Sequence, residues 1–398
     1  MTSEAPAECF VYITLPGETV PVTAGRYALA IDRRGVPEGR FVYGRSYLAR
    51  PNAVAFDPVE LKLAPRTYRT AGGIFGALRD ASPDYWGRRI IQQHLRKAQP
   101  GEMEYLLYSP DDRAGALGFG LNQTPPAPKR AFNRTLDLAT MQAIADAIVA
   151  GEDAPLGVAD ADHDQIERLI RIGTSMGGAR PKAVVEDDEG LWVAKFNRPD
   201  DMWNNARVEH AMLVLARACG AAGYRRSRMV SALTLLRAED TYQSRDKWSY
   251  VLLAEELRRV CVEPKQATTE LFRRMCFNAL ISNTDDHPRN HAVIAREVNW
   301  NLSPAYDLTP TTPVSMDRRD LAMACGDAGR FANAGNLLSQ SARFLLDPDE
   351  ARVLIDTMEA QIRSGWYATA RAAGVAEHDC KKIAPAFAYP GFRQPTTT

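Results

Sequence analysis

Residues 281–294 read ISNTDDHPRNHAVI, and the fold of the chain turns on what this stretch is for. It sets two aspartates, two histidines and two asparagines beside a proline. Ordering so dense a polar cluster is costly unless something binds it. A metal is the first reading, because His287 and His291 stand four apart behind two aspartates. Pro288 lies between them, however, and cannot sit in the helix interior that would put both rings on one face. The helical zinc motif also needs Glu directly after the first His, and here that residue is proline.

Spacing favours phosphate chemistry instead. Asp285 is followed after five positions by Asn290, and seventeen further on Asp307 stands in LSPAYDL. Between them the sequence predicts two short strands, around 291–295 and 299–302, with a turn at 296–298. This is the layout of a kinase catalytic loop, hairpin and metal-binding aspartate. One Asp accepts the hydroxyl proton of the acceptor. The Asn and second Asp offer the oxygen ligands that magnesium takes.

An upstream half is present in the same order. GTSMGGARPK, 173–182, is a glycine-rich turn able to bring backbone N–H groups to phosphate. It is not a Walker loop, since Ala179 stands where that motif needs Lys. LWVAKF, 191–196, alternates as a strand, with Leu191, Val193 and Lys195 on one face. Fourteen residues after Lys195, Glu209 lies on a predicted helix beside its core stripe of Val208, Ala211, Met212 and Leu215. A strand Lys paired to a helix Glu is how kinases hold the lysine over the phosphates. Singly, each feature is bland: D-x4-N is common, a strand Lys is usually a solvated edge, a helical Glu a surface charge, and GTSMGG a turn. Their order and spacing together point to phosphoryl transfer.

The rest of the chain bounds this reading. With 398 residues, 45% hydrophobic and 25% charged, it is long enough for two or three packed units of ordinary globular composition. Lys+Arg equals Asp+Glu, which argues against nucleic-acid binding through bulk charge. Six scattered cysteines without CxxC fit neither a disulfide framework nor a zinc ribbon, and suit a reducing cytosol. No apolar run is long enough to span a bilayer, and the N-terminus has no apolar core of a signal peptide. The expectation is a soluble cytoplasmic protein with no membrane partner.

Residues 1–70 predict short strands, as in CFVYITL and GRFVYG. RDASPDYWGRRIIQQHL predicts a helix with Ser82 as N-cap and Pro83 at its first position. NQTPPAPKRAFN, 122–133, predicts a connector. LDLATMQAIADAIV and HDQIERLIRI predict helices. SYVLLAEEL, 249–257, predicts a buried strand. From 267 the chain is expected to be mostly helical, with a late helix from about Pro348 carrying Leu354, Met358 and Ile362. QPTTT is expected to fray.

These residues resemble the HipA family, the serine/threonine kinase toxins of bacterial toxin–antitoxin pairs. SYLARPNAVAFDPVELKL and GIFGALRDASPDYWGRRII resemble its N-terminal subdomain, GTSMGGARPK its glycine-rich loop, and NTDDHPRNHAVI with LSPAYDLTP its catalytic centre. The resemblance implies an α+β, bilobal protein-kinase-like fold. A family-specific subdomain would span 1–125, an N-lobe with the glycine-rich loop and hinge 134–260, and a helical C-lobe 261–398. It implies ATP and Mg2+ as cofactors and Asp285 as catalytic base. Asn290 and Asp307 would hold magnesium, with His287 and Tyr306 near the nucleotide. Lys195, with Glu209, would hold phosphate, beside Ser175, Gly177, Gly178 and Lys182 of the glycine-rich stretch. The adenine would lie on VLLAEEL near Glu255 and Leu257.

Ser175 matches the serine that members autophosphorylate, which would expel the loop by added charge. The implied partners are a HipB-like helix-turn-helix antitoxin, DNA only through that antitoxin, and a protein substrate such as an aminoacyl-tRNA synthetase. Two departures stand out. ELRR, 256–259, replaces the RFDR of many members, and Asp286 replaces a glycine, adding a carboxylate expected to raise the base's proton affinity or recruit a cation. Two rivals stay open: a kinase of another substrate unrelated to toxicity, and a co-repressor module that binds ATP without transferring phosphate.

Overall fold

The computed structural model describes residues 7–31, 35–109, 113–126, 133–134, 182–187, 190–195, 201–202, 204–205, 207–209, 211–212, 227–312 and 315–394. The chain divides into two compact units, Met1–Asp201 with Arg226–Met229, and Met202–Arg225 with Val230–Thr398.

In the first unit the early β-formers give β1 (Glu8–Ile13), β2 (Val22–Ile31), β3 (Pro37–Tyr43), β4 (Thr67–Ala71) and β5 (Leu117–Gly120). They form one antiparallel sheet in the order β4-β3-β2-β1-β5. Phe41 and Tyr43 alternate inward from β3 and pack with Phe56, Phe75 and Tyr47, as the two-residue period of a half-buried strand requires. Tyrosine hydroxyls inside this core are satisfied by backbone: Tyr43 donates to Leu61 O at 2.6 Å and Tyr47 to Val54 O at 2.7 Å. Buried Asp57 accepts from the N–H groups of Val59 and Leu61 at 2.7 and 3.2 Å. Burial nevertheless pushes its carboxyl up to about 6, against the pull of those N–H groups.

The helix expected from Ser82 runs over Tyr85–Leu95. Ser82 does not cap it. Its N–H donates to Arg79 O at 3.0 Å, so it belongs to the turn closing the preceding helix, Gly76–Asp80. Pro83 and Asp84 precede the first helical residue, and Asp84 O accepts the opening bond from Arg88 N at 2.8 Å.

β6 (Asn133–Arg134), β7 (Lys182–Asp187) and β8 (Gly190–Lys195) form a second sheet. LWVAKF is therefore a strand over 191–195, and Lys195 is the register partner of Lys182. The predicted helices at 136–149 and 163–172 and the glycine-rich 173–181 lie outside the described residues, as does QPTTT apart from Gln394.

The second unit is mainly helical. Around its buried helix Pro264–Leu280 pack the helices Tyr250–Val260 and Pro348–Ala372. A small sheet has the order β11-β10-β9, from β9 (Arg228–Ser231), β10 (Ala292–Ala295) and β11 (Asn301–Leu302), of which β10 and β11 belong wholly to this unit. The late helix starts at Pro348 with a capping box of Asp347 and Glu350, and its buried stripe runs through Ile355, Met358 and Ile362. Leu354 is half-buried at its margin.

SYVLLAEEL is a helix, not a strand. Ser249 accepts from Leu252 N at 3.3 Å, and Tyr250, Leu253, Ala254 and Leu257 are buried on one face. Those four positions carry helical spacing, and the polar residues 255, 256, 258 and 259 fill the other face. The unbroken run YVLLA hides this pattern, since short apolar runs suit either state.

Candidate active site

The Pro264–Leu280 helix ends at Ile281, and Ser282 then takes a left-handed φ of 56°. This is strained for a residue with a Cβ. Ser282 is held there by donating to Ala386 O at 2.5 Å and accepting from Arg319. The chain is thereby turned toward the segment that bears Asp307.

Buried asparagines join the two segments. Asn283 Nδ2 donates to Asn278 Oδ1 at 3.2 Å and to Asp307 O at 3.3 Å. Asn278 Nδ2 donates in turn to the Tyr250 hydroxyl at 3.0 Å. Thr311 N donates to Ser282 O at 3.0 Å, and Thr284 N to Thr311 Oγ1 at 3.3 Å. From the far side, Arg274, 5% exposed and paired to Glu270 at 3.0 Å, reaches Ser303 O.

The loop itself is tight. Asp285 O accepts from His287 N at 2.9 Å and from Asn290 Nδ2 at 3.3 Å. Pro288–Asn290 form one 3-10 turn, and the chain leaves as β10. The hairpin is as expected, with Val293 opposite Leu302 and Ile294 opposite Asn301. Tyr306 donates to Arg289 O at 2.6 Å, tying the end of the hairpin to the loop. Asp307 has a φ of 58°, so this non-glycine residue is held in a sparsely populated conformation.

Asp285 is exposed as a residue, but its surroundings thin the water around its carboxyl and raise its proton affinity. His287 opposes this, while the charges of Asp307 and Asp240 add to it. Asp285 and Asp307 are therefore close enough to feel each other. Asn290 is buried, and with its NH2 engaged on Asp285 O its amide oxygen is the free end. An amide oxygen and a carboxylate are the hard donors magnesium takes, so the pair fits that ion.

Asp286 is not the second carboxylate at the base that the sequence suggested. It is 1% exposed, and His291, 2% exposed, meets it at 2.9 Å between Nε2 and Oδ1. This also separates the two histidines. His291 turns inward and packs edge-on against Tyr250 at 5.2 Å, while half-buried His287 packs against Trp248 at 6.4 Å.

The other predicted residues are placed as follows. Lys195 is exposed in the first unit; Glu209 is in the second and is buried, not on a solvated face. Leu257 has no exposed surface, and Glu255 pairs with Arg343, because the segment holding them is a core-facing helix and not a linker strand. Ser175, Gly177 and Gly178 lie outside the described residues. Sequence reasoning missed Asn278, Asn283, Tyr250 and the Asp286–His291 pair. None stands in a spacing that marks chemistry, since each acts through a neighbour brought near by folding.

Among the described residues no helix is long and apolar enough to cross a membrane.

Comparison with known proteins bears on the same residues. The family model of the HipA-like C-terminal domain matches 221–366, which includes Asp285, Asn290 and Asp307. That of the HipA N-terminal domain matches 24–120. No curated protein matches the chain by sequence. Among solved structures, the Shewanella oneidensis MR-1 toxin–antitoxin complex of HipA, HipB and operator DNA contains a similar chain, with a TM-score of 0.65. It is 15% identical, over 95% of this chain and 94% of that one, a likeness that carries the fold.

Proposed function

The chain belongs to the HipA family, with its kinase-like fold, and from that premise we propose that it is an ATP- and magnesium-dependent serine/threonine protein kinase. The observation that best supports the reading is one buried network of Tyr250, Asn278 and Asn283, which fixes the loop of Asp285 and Asn290 against the backbone of Asp307.

In this reading Asp285 takes the proton of the acceptor hydroxyl as its oxygen bonds to the γ-phosphorus and the bond to ADP breaks. A carboxylate with raised proton affinity is the better base for that step. Asn290 and Asp307 would hold magnesium, which supplies charge stabilisation at the phosphate oxygens. Lys195 and its register partner Lys182 would serve the nucleotide phosphates with the stretch that contains Gly177 and Gly178, and the resemblance gives Glu209 a part in the same task. His287 and Tyr306 would border the nucleotide. The helical state of 250–260 gives no support to an adenine seat at Glu255 and Leu257.

The wider role follows the family. The protein would act in the cytoplasm as a toxin that phosphorylates a translation component such as an aminoacyl-tRNA synthetase. A HipB-like antitoxin would hold it and supply the contact with DNA. Phosphorylation of Ser175 would switch it off by placing charge where nucleotide phosphates bind. The test is incubation of dephosphorylated protein with Mg-ATP and location of added phosphate by mass spectrometry. Phosphate on Ser175 or on an added protein, absent with Asp285→Asn, supports the reading. Nucleotide binding with no transfer to any protein would replace it with the binding module.

A further inference from the structure

A cleft of about 350 Å3 opens beside the catalytic loop, and its wall includes Asp285, Asp240, Arg245, Trp248, Asp320 and Arg330. His287 also lines it, at the edge shared with the nucleotide side in the proposed kinase, whereas neither Asn290 nor Asp307 does. In phosphoryl transfer the incoming hydroxyl stands between the base and the γ-phosphorus, with the metal ligands beyond it on the donor side. A wall that holds the base without the metal ligands is therefore the acceptor side.

The charges of this wall are unequal. Asp240 is paired to Arg289 at 3.0 Å, and Asp320 to Arg318 at 3.0 Å. Arg245 and Arg330 are both exposed, and among the described residues neither has a carboxylate within ion-pair distance. Arg245 is nonetheless held in place, 5.4 Å from the centre of the Trp248 ring and 5.6 Å from that of Tyr242. Stacking of this kind orients a guanidinium without neutralising it. The main chain at Arg330 is fixed, its carbonyl accepting from Leu321 N at 2.8 Å, and its side chain is exposed. With Asp240 and Asp320 paired, the cleft keeps the carboxylate of Asp285 and two exposed guanidinium groups, of which Arg245 is oriented by its stacking on Trp248 and Tyr242. Such groups match carboxylates by two parallel hydrogen bonds.

We propose that this cleft, in the kinase reading on which the inference rests, is the acceptor site, and that Arg245 and Arg330 select a serine or threonine flanked by acidic side chains on a protein. The aromatic floor of Trp248 takes the backbone of that segment, and the arginines take the carboxylates on either side of the hydroxyl.

The test is direct binding without nucleotide, so that no transfer is read. Two fluorescent peptides of equal length carry one serine, flanked by glutamates in one and by lysines in the other. Fluorescence anisotropy at low salt is expected to show the glutamate peptide binding about tenfold tighter or better. The double variant Arg245→Glu with Arg330→Glu should reverse the ranking, and Arg245→Lys with Arg330→Lys should keep it with a smaller ratio. Equal binding of both peptides, a lysine preference in wild type, or a ranking unmoved by the charge reversal would overturn the proposal. So would displacement of the glutamate peptide by a short single-stranded oligonucleotide more readily than by its own unlabelled form, which would assign the arginines to a phosphate backbone. Acidic preference in a protein that transfers no phosphate would overturn the kinase reading and leave the selection of acidic segments standing.

Discussion

Asp286 and His291 meet at 2.9 Å across the base of the catalytic loop, each with almost no exposed surface. The contact joins the residue after the base to the residue before β10, so it closes the loop like a clasp. It also explains why a second aspartate can follow Asp285 without crowding it, since the Asp286 side chain points away from the cleft and into the core. Truncation by Asp286→Ala leaves His291 buried without its partner and should cost about 1–3 kcal/mol of stability. Urea unfolding monitored by circular dichroism checks this. Asp286→Asn, which keeps an oxygen acceptor, should cost less, and an equal cost for both would deny the hydrogen bond its role.

Asn283 links the loop to the metal-bearing segment through Asp307 O. Asn283→Ala removes that link together with the bond to Asn278. In the proposed kinase the consequence is a magnesium site less well formed, and loss of such supporting contacts typically weakens metal binding about 10- to 100-fold. Activity titrated against magnesium should show this as a higher half-saturating concentration, with much of the rate recovered at saturation. A lowered rate at unchanged magnesium dependence would assign Asn283 to stability alone.

Much of this region was legible in the sequence, and the reasons are physical. Asp285, Asn290 and Asp307 carry a spacing that the two short strands impose, because a hairpin returns the chain to its start after a fixed number of residues. β8 and the Pro348–Ala372 helix carried their periods openly, and β1 and β3 their β-forming composition. Ser82 and 249–257 misled for one shared reason. Each shows a local preference that a neighbour overrides, the turn after Gly76–Asp80 in one case and the packing of Tyr250, Leu253, Ala254 and Leu257 in the other. The asparagine network left no local trace, since Asn278 and Asn283 gain meaning only beside Tyr250 and Asp307.

The helical state of 250–260 has its own consequence. Ser249 caps its N-terminus, so Ser249→Ala should lower stability by about 1 kcal/mol. Leu257→Ala, in the core, should cost about 2–5 kcal/mol. Denaturant midpoints measure both. A strand here would leave the Ser249 change without effect.

Asp57 makes the stability of the N-terminal sheet depend on pH. Its folded pKa is raised, from 3.8 to about 6, so the folded state holds this proton more tightly than the unfolded chain. The associated stability is complete below the unfolded value and is lost as pH rises through the folded one. Between pH 5 and 8 the loss is about 1.4 kcal/mol. Asp57→Asn keeps an oxygen for the N–H groups of Val59 and Leu61 and removes the titration. Its urea stability should therefore lack this decline, and a decline equal to wild type would contradict the assignment.

The central claim is that Asp285 serves phosphoryl transfer. Its most direct test is the rate of phosphate transfer from Mg-ATP by wild type and by Asp285→Asn, with nucleotide affinity measured on both. The account predicts transfer by wild type and a loss of about 100-fold or more in the variant at similar affinity for ATP. Transfer at equal rates by the two proteins, or nucleotide binding without transfer by wild type, would contradict it.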